Sequence, residues 1–149
     1  MRSPQTIAAL QGALAAEHVA VFGYGVLGAH LFGSQRQSAD QIWNSHRARR
    51  DRLRSYLEAG GGTPVAAAPA YRLPAPVSSA RTAAQLAARL EDGVTTGYAG
   101  LAGVADPNLR RYAALAMQEA TVRAVRWRDA PPAAFPGLTR AALYPRVDE

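Results

Sequence analysis

The sequence predicts an all-α protein, a four-helix bundle made of two antiparallel hairpins joined by a long crossover between the second and third helices. Apolar residues recur at helical spacing in four segments. The loop within each hairpin is short, whereas a stretch with four prolines separates the hairpins. At 149 residues the chain is long enough to bury one core. A single domain spanning residues 1–149 is therefore expected.

The first helix is predicted over residues 6–32, with Gly33 as its stop. Steps of three and four residues place eight positions on one face: Ile7, Leu10, Leu14, Glu17, Val21, Tyr24, Gly28 and Leu31. Glu17 and Tyr24 are the polar residues on this otherwise apolar face. They mark a candidate buried site.

The second helix is predicted over residues 38–59. Ser38 with Gln41 three residues later forms a capping-box pattern, and three glycines at 60–62 end the helix. Its apolar stripe consists of Ile42, His46, Leu53 and Leu57.

The third helix is predicted over residues 79–103, starting at Ser78 or Ser79, and the fourth over residues 106–129. Asp106 is a suitable N-cap for the fourth helix and Pro107 a suitable first residue. The C-terminal tail, residues 130–149, contains apolar side chains that could pack back onto the bundle: Phe135, Leu138, Leu143 and Tyr144.

The connections determine how the helices run. Short loops make the two helices of each hairpin antiparallel neighbours. The stretch between the hairpins could reach about 60 Å when extended, whereas the second helix is only about 33 Å long. The third helix can therefore start at the opposite end of the bundle from the end of the second, which is the ferritin-like arrangement.

The two hairpins resemble each other in sequence. Residues 17–27, EHVAVFGYGVL, match residues 91–101, EDGVTTGYAGL, at an offset of 74 (91 − 17). The second and fourth helices match at an offset of 76. The matching pairs are Glu17/Glu91, Gly23/Gly97, Tyr24/Tyr98, Arg47/Arg123, Ala48/Ala124 and Arg50/Arg126. This internal repeat predicts a pseudo-twofold bundle in which the buried polar pair occurs twice.

The segments LAAEHVAVFGYGVLGA, HRARRDRLRSYLEAGG, PAYRLP and LEDGVTTGYAGL, with VRAVRW and AFPGL as a looser pattern, suggest a family. Over nearly its whole length the chain resembles the ferritin-like domain family of unknown function from high-GC bacteria. The resemblance implies the fold. It implies no activity, because that family is named only by its fold.

A ferritin-like metal centre needs one glutamate from each of two helices and a Glu-x-x-His motif from each of the other two. Glu17 and Glu91 occupy the single-glutamate positions. On the second helix His46 is present, but Trp43 stands where the glutamate would be. This half of the pattern has therefore lost one ligand.

The fourth helix has lost the other ligand, because Glu119 is present and Val122 stands where the histidine would be. Four candidate metal ligands remain: Glu17, His46, Glu91 and Glu119. This set could hold a single Fe, Mn or Zn ion, but not two metals in the usual way.

The competing interpretation is a polar network without metal. Buried carboxylates that stay charged and unpaired would cost several kcal/mol each, so they need a cation or a proton. Arg50 and Arg126 lie one turn after the metal-motif positions and could point to the same level. Tyr24 and Tyr98 can donate hydrogen bonds. We favour this Glu/Arg/Tyr network, so no cofactor is favoured, and a single Fe, Mn or Zn ion is the alternative.

Composition narrows the classes of partner. The chain has no cysteine, which excludes disulfides and thiolate metal sites. All 17 basic residues are arginine, which is typical of a GC-rich bacterial genome, and the formal net charge is +6. The arginines between residues 47 and 54 are spread around their helix. An ion-paired solvated surface is therefore favoured over a nucleic-acid interface.

Glu17 and His18 interrupt the apolar run at the N-terminus, which fits neither a signal peptide nor a membrane span. We therefore expect a cytoplasmic protein with no membrane partner. Apolar and small residues in excess of a narrow seam predict a homodimer. The favoured function is a non-catalytic scaffold with a degenerate metal site, and the alternative is a single-metal binding protein or oxidoreductase. The sequence identifies no small-molecule ligand.

Overall fold

The computed structural model describes residues 1–129 and Leu138. These residues form four α-helices and no strand, which confirms the predicted all-α class. The helices are α1 (Pro4–Leu27), α2 (Gly33–Ala59), α3 (Ala80–Ala99) and α4 (Pro107–Arg128). The predicted packing of the C-terminal tail lies outside the described residues, apart from Leu138, which is exposed.

The starts of α3 and α4 confirm the sequence-based prediction. The Ser79 hydroxyl accepts a hydrogen bond from the Thr82 backbone N–H at 3.1 Å, and the two residues form a reciprocal capping box. The Asp106 carboxylate accepts from the backbone N–H of Asn108 at 2.9 Å, and Pro107 is the first helical residue. These caps satisfy N–H groups that have no partner within the helix.

The predicted start of α2 is wrong. The helix begins at Gly33, and the Ser38–Gln41 pair lies inside it rather than at a cap. Gly33 has a φ of +56°, a left-handed conformation that costs glycine little. The chain therefore turns at once after Leu31, and Phe32 occupies the N-cap position without a side-chain hydrogen bond.

The first and third helices end earlier than predicted, and in the same way. A single turn of 3-10 helix follows each, at Gly28–His30 after α1 and at Leu101–Gly103 after α3. Tightened last turns of this kind are common at helix ends. In each hairpin, the first helix thus ends in a single 3-10 turn before the second helix begins.

Close packing brings α1 and α3 together as antiparallel neighbours. Near the N-terminal end of α1, Gly12 and Ala16 lie against Gly97, whereas Gly23 lies against Leu90 further along α1. The contacts therefore move towards the N-terminus of α3 as they move towards the C-terminus of α1, so the two helices are antiparallel. α1 also packs against α2, and α3 packs against α4.

The segment between α2 and α3 follows α1. It leaves α2 at Gly60, whose carbonyl accepts from the Arg2 backbone N–H at 3.1 Å. Val65 then bonds to Gln11 and His18, and the Tyr71 ring lies 5.8 Å from that of Phe22. The segment thus passes from the N-terminal end of α1 towards its C-terminal end before α3 begins.

Two hydrophobic clusters form the core of the described residues. The first contains Leu10, Leu14, Leu53, Leu57, Tyr98 and Leu101, and the second contains Tyr24, Leu27, Leu31, Leu86 and Leu90. On α1, Glu17 lies between Leu14 of the first cluster and Tyr24 of the second. By length and apolarity Pro4–His30 would suffice to cross a membrane. Here it is packed against α2 and α3.

Candidate functional site

Three ionisable side chains from three helices meet in the centre of the bundle. Glu17 from α1, His46 from α2 and Glu91 from α3 are each 0% exposed. His46 Nδ1 lies 2.6 Å from Glu17 Oε2, and His46 Nε2 lies 3.0 Å from Glu91 Oε1. An ionised carboxylate can only accept hydrogen bonds. With both carboxylates ionised, both ring nitrogens of His46 donate, and the ring is an imidazolium.

The electrostatics of the site support this protonation state. Burial by itself lowers the pKa of His46, because it disfavours the charged ring. Hydrogen bonds to Glu17 and Glu91, together with their negative charges, outweigh burial and raise the pKa from 6.5 to about 9. His46 is therefore a cation at pH 7. With both carboxylates ionised, the three groups carry a formal charge of −1 (−2 + 1).

Two tyrosines complete the network by reaching across the α1–α3 interface. Tyr98 on α3 donates to Glu17 Oε1 on α1 at 2.7 Å, and Tyr24 on α1 donates to Glu91 Oε1 on α3 at 2.6 Å. Burial, followed by the neighbouring carboxylate charge, raises the pKa of both Tyr24 and Tyr98 well above 10. Both hydroxyls therefore stay protonated and serve as donors.

One oxygen of the network has no hydrogen-bond partner among the described residues. Glu91 Oε1 accepts from both Tyr24 and His46, whereas the buried Glu91 Oε2 accepts from nothing. The Tyr112 hydroxyl, also buried, is the other such atom. Buried polar atoms without partners are uncommon. Glu91 Oε2 is thus the point where the excess negative charge of the site is least compensated.

α4 closes the network from one side. The Trp127 indole N–H donates to the Tyr24 hydroxyl at 3.0 Å, so this helix is linked to Glu91 through Tyr24. Arg123 donates to the Ser45 hydroxyl at 3.0 Å, next to His46 in the sequence of α2. Trp127 was not predicted from the sequence to be a member of the network. An indole N–H that needs a partner when buried was the available signal.

Glu119 does not join the other three predicted metal ligands. Its side chain is 49% exposed and forms ion pairs with Arg49 at 2.6 Å and Arg123 at 3.7 Å. Ala116 and Ala120 face the core at this level of α4, and one step along a helix rotates a side chain by about 100°. Among the described residues, no group of three or more His, Asp or Glu side chains is arranged to hold a metal ion.

The arginines predicted for the core network also lie outside it. Arg50 pairs with Asp51 at 2.9 Å, and Arg126 is exposed. The positive charge beside the carboxylates comes instead from His46. The predicted Glu/Arg/Tyr network is therefore a Glu/His/Tyr network in the structure, with Tyr24 and Tyr98 in the places expected of them.

Comparison with known proteins gives a family but no activity. A family model described as a domain of unknown function (DUF4439) matches residues 9–140. The crystal structure of a conserved hypothetical protein, rv2844, from Mycobacterium tuberculosis is similar, with a TM-score of 0.82 and 35% sequence identity. That alignment covers 87% of this chain and 98% of the other. Among curated proteins, none matches this chain.

Proposed function

This chain belongs to the DUF4439 family, and from its central site we propose that it is a non-catalytic helical scaffold of ferritin-like topology. In this proposal the Glu17–His46–Glu91 network takes the place of a metal centre. The observation that carries it is that both ring nitrogens of His46 are bonded to carboxylates from two other helices. The histidine thereby supplies the positive charge that a metal would otherwise supply.

The directions of the helices support the ferritin-like assignment. α1 and α3 are antiparallel, and the segment from Gly60 to Ser79 follows α1 from one end to the other. Hairpins joined in this way by one long connection are typical of ferritin-like bundles. The matching 3-10 turns and the reciprocal tyrosine–glutamate bonds support an origin of the two hairpins by duplication.

The residues present do not fit the metal centre that the fold suggests. A histidine ligand must offer a lone pair to the metal, whereas both nitrogens of His46 face carboxylates at hydrogen-bond distance. Glu119 lies on the surface, and Trp43 and Val122 stand where two further ligands would be needed. The Trp43 indole is held in place by its bond to the Val21 carbonyl at 3.0 Å.

In the scaffold, the network fixes how the helices pair. Among the described residues, the buried carboxylates of Glu17 and Glu91 bond to His46 on α2 and to the crossed tyrosines. A shift of one helix by one residue would leave a buried carboxylate without its partner, at a cost of several kcal/mol. We infer that the network selects one register among many that apolar packing alone would allow.

A second candidate function is the binding of a single Fe, Mn or Zn ion, and the free Glu91 Oε2 atom favours it. A buried carboxylate oxygen without a hydrogen bond is a potential ligand for a cation. Glu17 and His46 would be the neighbouring ligands. This function would require His46 to lose its proton, because a metal and a proton compete for the same lone pair.

Elemental analysis of protein purified without chelators separates the two functions. The scaffold proposal predicts no stoichiometric metal in the wild-type protein. One metal ion per chain, lost in the Glu17→Ala/His46→Ala double variant but kept in His30→Ala, would contradict it. His30 is the matched control because it is partly exposed on the turn after α1, away from the network.

We also propose that the scaffold is a cytoplasmic homodimer. Leu115 and Val122, seven residues apart and therefore on one face of α4, are 47% and 44% exposed. In this proposal, these two apolar side chains on the outside of the bundle form the centre of the self-association surface. We propose a cytoplasmic location because α1 is packed within the bundle and contains buried polar side chains, as a core helix does.

A further inference from the structure

The bundle opens between the first half of α2 and the last turns of α4. Among the described residues these helices meet through long side chains, with Arg49 bonded to Glu119 and Arg123 bonded to Ser45, and not through close backbone packing. Beyond Arg123, towards the start of α2, the space between the two helices is a groove of about 410 Å³. This volume is in the range of small-molecule sites.

The groove combines positive charge, hydrogen-bonding groups and an apolar wall. The residues that matter for recognition are Arg123, Arg126, Ser34, Gln41, Ile42 and Trp127. Within the part of the chain that the structure describes, no carboxylate lines it. A ligand in this groove would therefore meet two guanidinium groups without competition from an acidic side chain in the wall.

The two arginines have charge available for a ligand. Arg126 is exposed and has no ion-pair partner among residues 1–129. Arg123 has Glu119 at 3.7 Å, but that carboxylate already binds Arg49 at 2.6 Å. Ser45 accepts a hydrogen bond from Arg123 at 3.0 Å and fixes its direction. Planar guanidinium groups bind phosphate and carboxylate through paired hydrogen bonds.

Trp127 gives the groove a rigid flat wall. Its indole N–H is committed to Tyr24 inside the core at 3.0 Å, so the ring cannot turn freely. Ile42 also lines the groove. An aromatic ring held at one edge by a hydrogen bond is a suitable platform for a planar or apolar group. The ligand that fits all three features is an anion attached to such a group.

The two helices that form the groove carry the net positive charge of the four helices. α2 has six arginines against three acidic residues (+3), and α4 has five against one (+4), whereas α1 sums to −1 and α3 to zero. The contributing arginines are Arg36, Arg47, Arg49, Arg50, Arg52 and Arg54 on α2, and Arg110, Arg111, Arg123, Arg126 and Arg128 on α4. Such a distribution attracts anions to the α2–α4 side.

We propose that the groove between α2 and α4 binds a small organic anion. Its phosphate or carboxylate group lies between Arg123 and Arg126, and its planar ring lies against Trp127. The groove is concave and of ligand size, which distinguishes it from the convex arginine-bearing surface further along α2. The bond from Trp127 to Tyr24 links the wall of the groove to the buried network.

Tryptophan fluorescence tests the proposal directly. The chain has two tryptophans, so a Trp43→Phe variant reports from Trp127 alone. Titration with phenyl phosphate should give a saturable change with one site per chain. Inorganic phosphate, which lacks the ring, should bind at least about tenfold more weakly, and phenol should not bind. Benzoate compared with phenyl phosphate then distinguishes a carboxylate ligand from a phosphate ligand.

A matched pair of variants supplies the control. Arg126→Gln should weaken phenyl phosphate binding by about tenfold or more, whereas Arg111→Gln removes the same charge from an exposed position of α4 outside the groove and should leave binding unchanged. Isothermal titration of the wild-type chain with phenyl phosphate should give the same dissociation constant as the fluorescence titration. Equal weakening by both variants, or no binding of either aromatic anion, would overturn the proposal. Binding of an oligonucleotide but not of phenyl phosphate, sensitive to Arg126→Gln, would also overturn it.

Discussion

His46 is the residue on which the centre of the bundle depends. It is completely buried between Glu17 and Glu91 and bonded to both. A buried ion pair is often no more stable than apolar packing of the same volume, but removal of one partner leaves the other charges uncompensated. The loss of unfolding free energy when His46 is removed therefore measures mainly the cost of leaving the two buried carboxylates without their cation.

His46→Ala should lower the free energy of unfolding by about 3–5 kcal/mol, because two carboxylates would remain in the core without their cation. Chemical denaturation at pH 7 measures this loss. His30→Ala, at a partly exposed position, should change stability by less than about 0.5 kcal/mol. A loss for His46→Ala no larger than that of the control would show that the network is not charged.

The pH dependence follows from the raised pKa of His46. The native pKa of about 9 exceeds the ordinary value of 6.5, so the folded state holds the proton more tightly than the unfolded state does. The resulting stabilisation, about 3 kcal/mol, is fully present below pH 6.5 and is lost as the pH rises through about 9. The difference in stability between wild type and His46→Ala should therefore shrink from pH 7 to pH 10. A constant difference would contradict a protonated His46.

Substitution of the two tyrosines tests whether the two tyrosine–glutamate bonds contribute equally to stability. Tyr24→Phe and Tyr98→Phe each remove a hydroxyl that donates to a buried carboxylate. Each should cost about 1–3 kcal/mol of unfolding free energy. Tyr56→Phe is the matched control, because this ring is only partly buried. If one of these two variants left the unfolding free energy unchanged, the two tyrosine–glutamate bonds would not stabilise the protein equally.

At the residue scale, the sequence was sufficient to find the centre but not all of its members. Polar residues on an apolar helical face identified Glu17 and Tyr24, and the repeat added Glu91 and Tyr98. Glu119 was predicted to lie in the core but lies on the surface. A metal-ligand pattern gives residue types and spacing, but it does not determine which face of α4 points to the core. The cation was also misassigned to arginine, since a histidine between two acids can serve as ligand or as counter-ion, and only the contacts distinguish these roles.

At the scale of the elements, the α1–α3 contact is set by small residues. A β-carbon at Gly97 would overlap the methyl group of Ala16, which is attached directly to the α1 backbone and cannot move away. At Gly23 the corresponding overlap is with the end of the Leu90 side chain, which can change rotamer. The interface therefore tolerates substitution at Gly23 better than at Gly97.

Gly97→Ala should lower the unfolding free energy by about 1–3 kcal/mol, because the added carbon overpacks the interface. Gly93→Ala is the control on the same helix. It has open space for a β-carbon and should raise stability by up to about 1 kcal/mol through helix propensity. Thermal and chemical denaturation of both variants measure the contrast. Stabilisation by Gly97→Ala would mean that α1 and α3 are further apart than described.

Two of the predicted helix starts were correct, whereas the capping-box pattern at Ser38 and Gln41 lies inside α2 and did not mark its start. Ser79 and Asp106 cap their helices as their sequence patterns indicate. The start of α2 was missed because it depends on the left-handed conformation of Gly33, which allows a helix to begin without a side-chain cap. The ends of α1 and α3 were extended too far, because a 3-10 turn continues the same apolar pattern.

At the scale of the whole molecule, the exposed apolar side chains of α4 predict self-association. Sedimentation equilibrium should give about twice the 15.8 kDa mass of the chain. Leu115→Glu/Val122→Glu, which places charges on the exposed stripe of α4, should give the monomer with its helical content intact. Only monomer in the wild-type protein, at any concentration tested, would contradict the homodimer.

We propose that a protonated histidine takes the place of a metal, and nitrogen-15 NMR of the imidazole groups measures its protonation state. His46, assigned through its absence in His46→Ala, should show two protonated ring nitrogens at pH 7 and lose a proton with a pKa near 9. A neutral ring at pH 7, with a pKa below 6.5 or a resonance shifted by bound metal, would contradict the account.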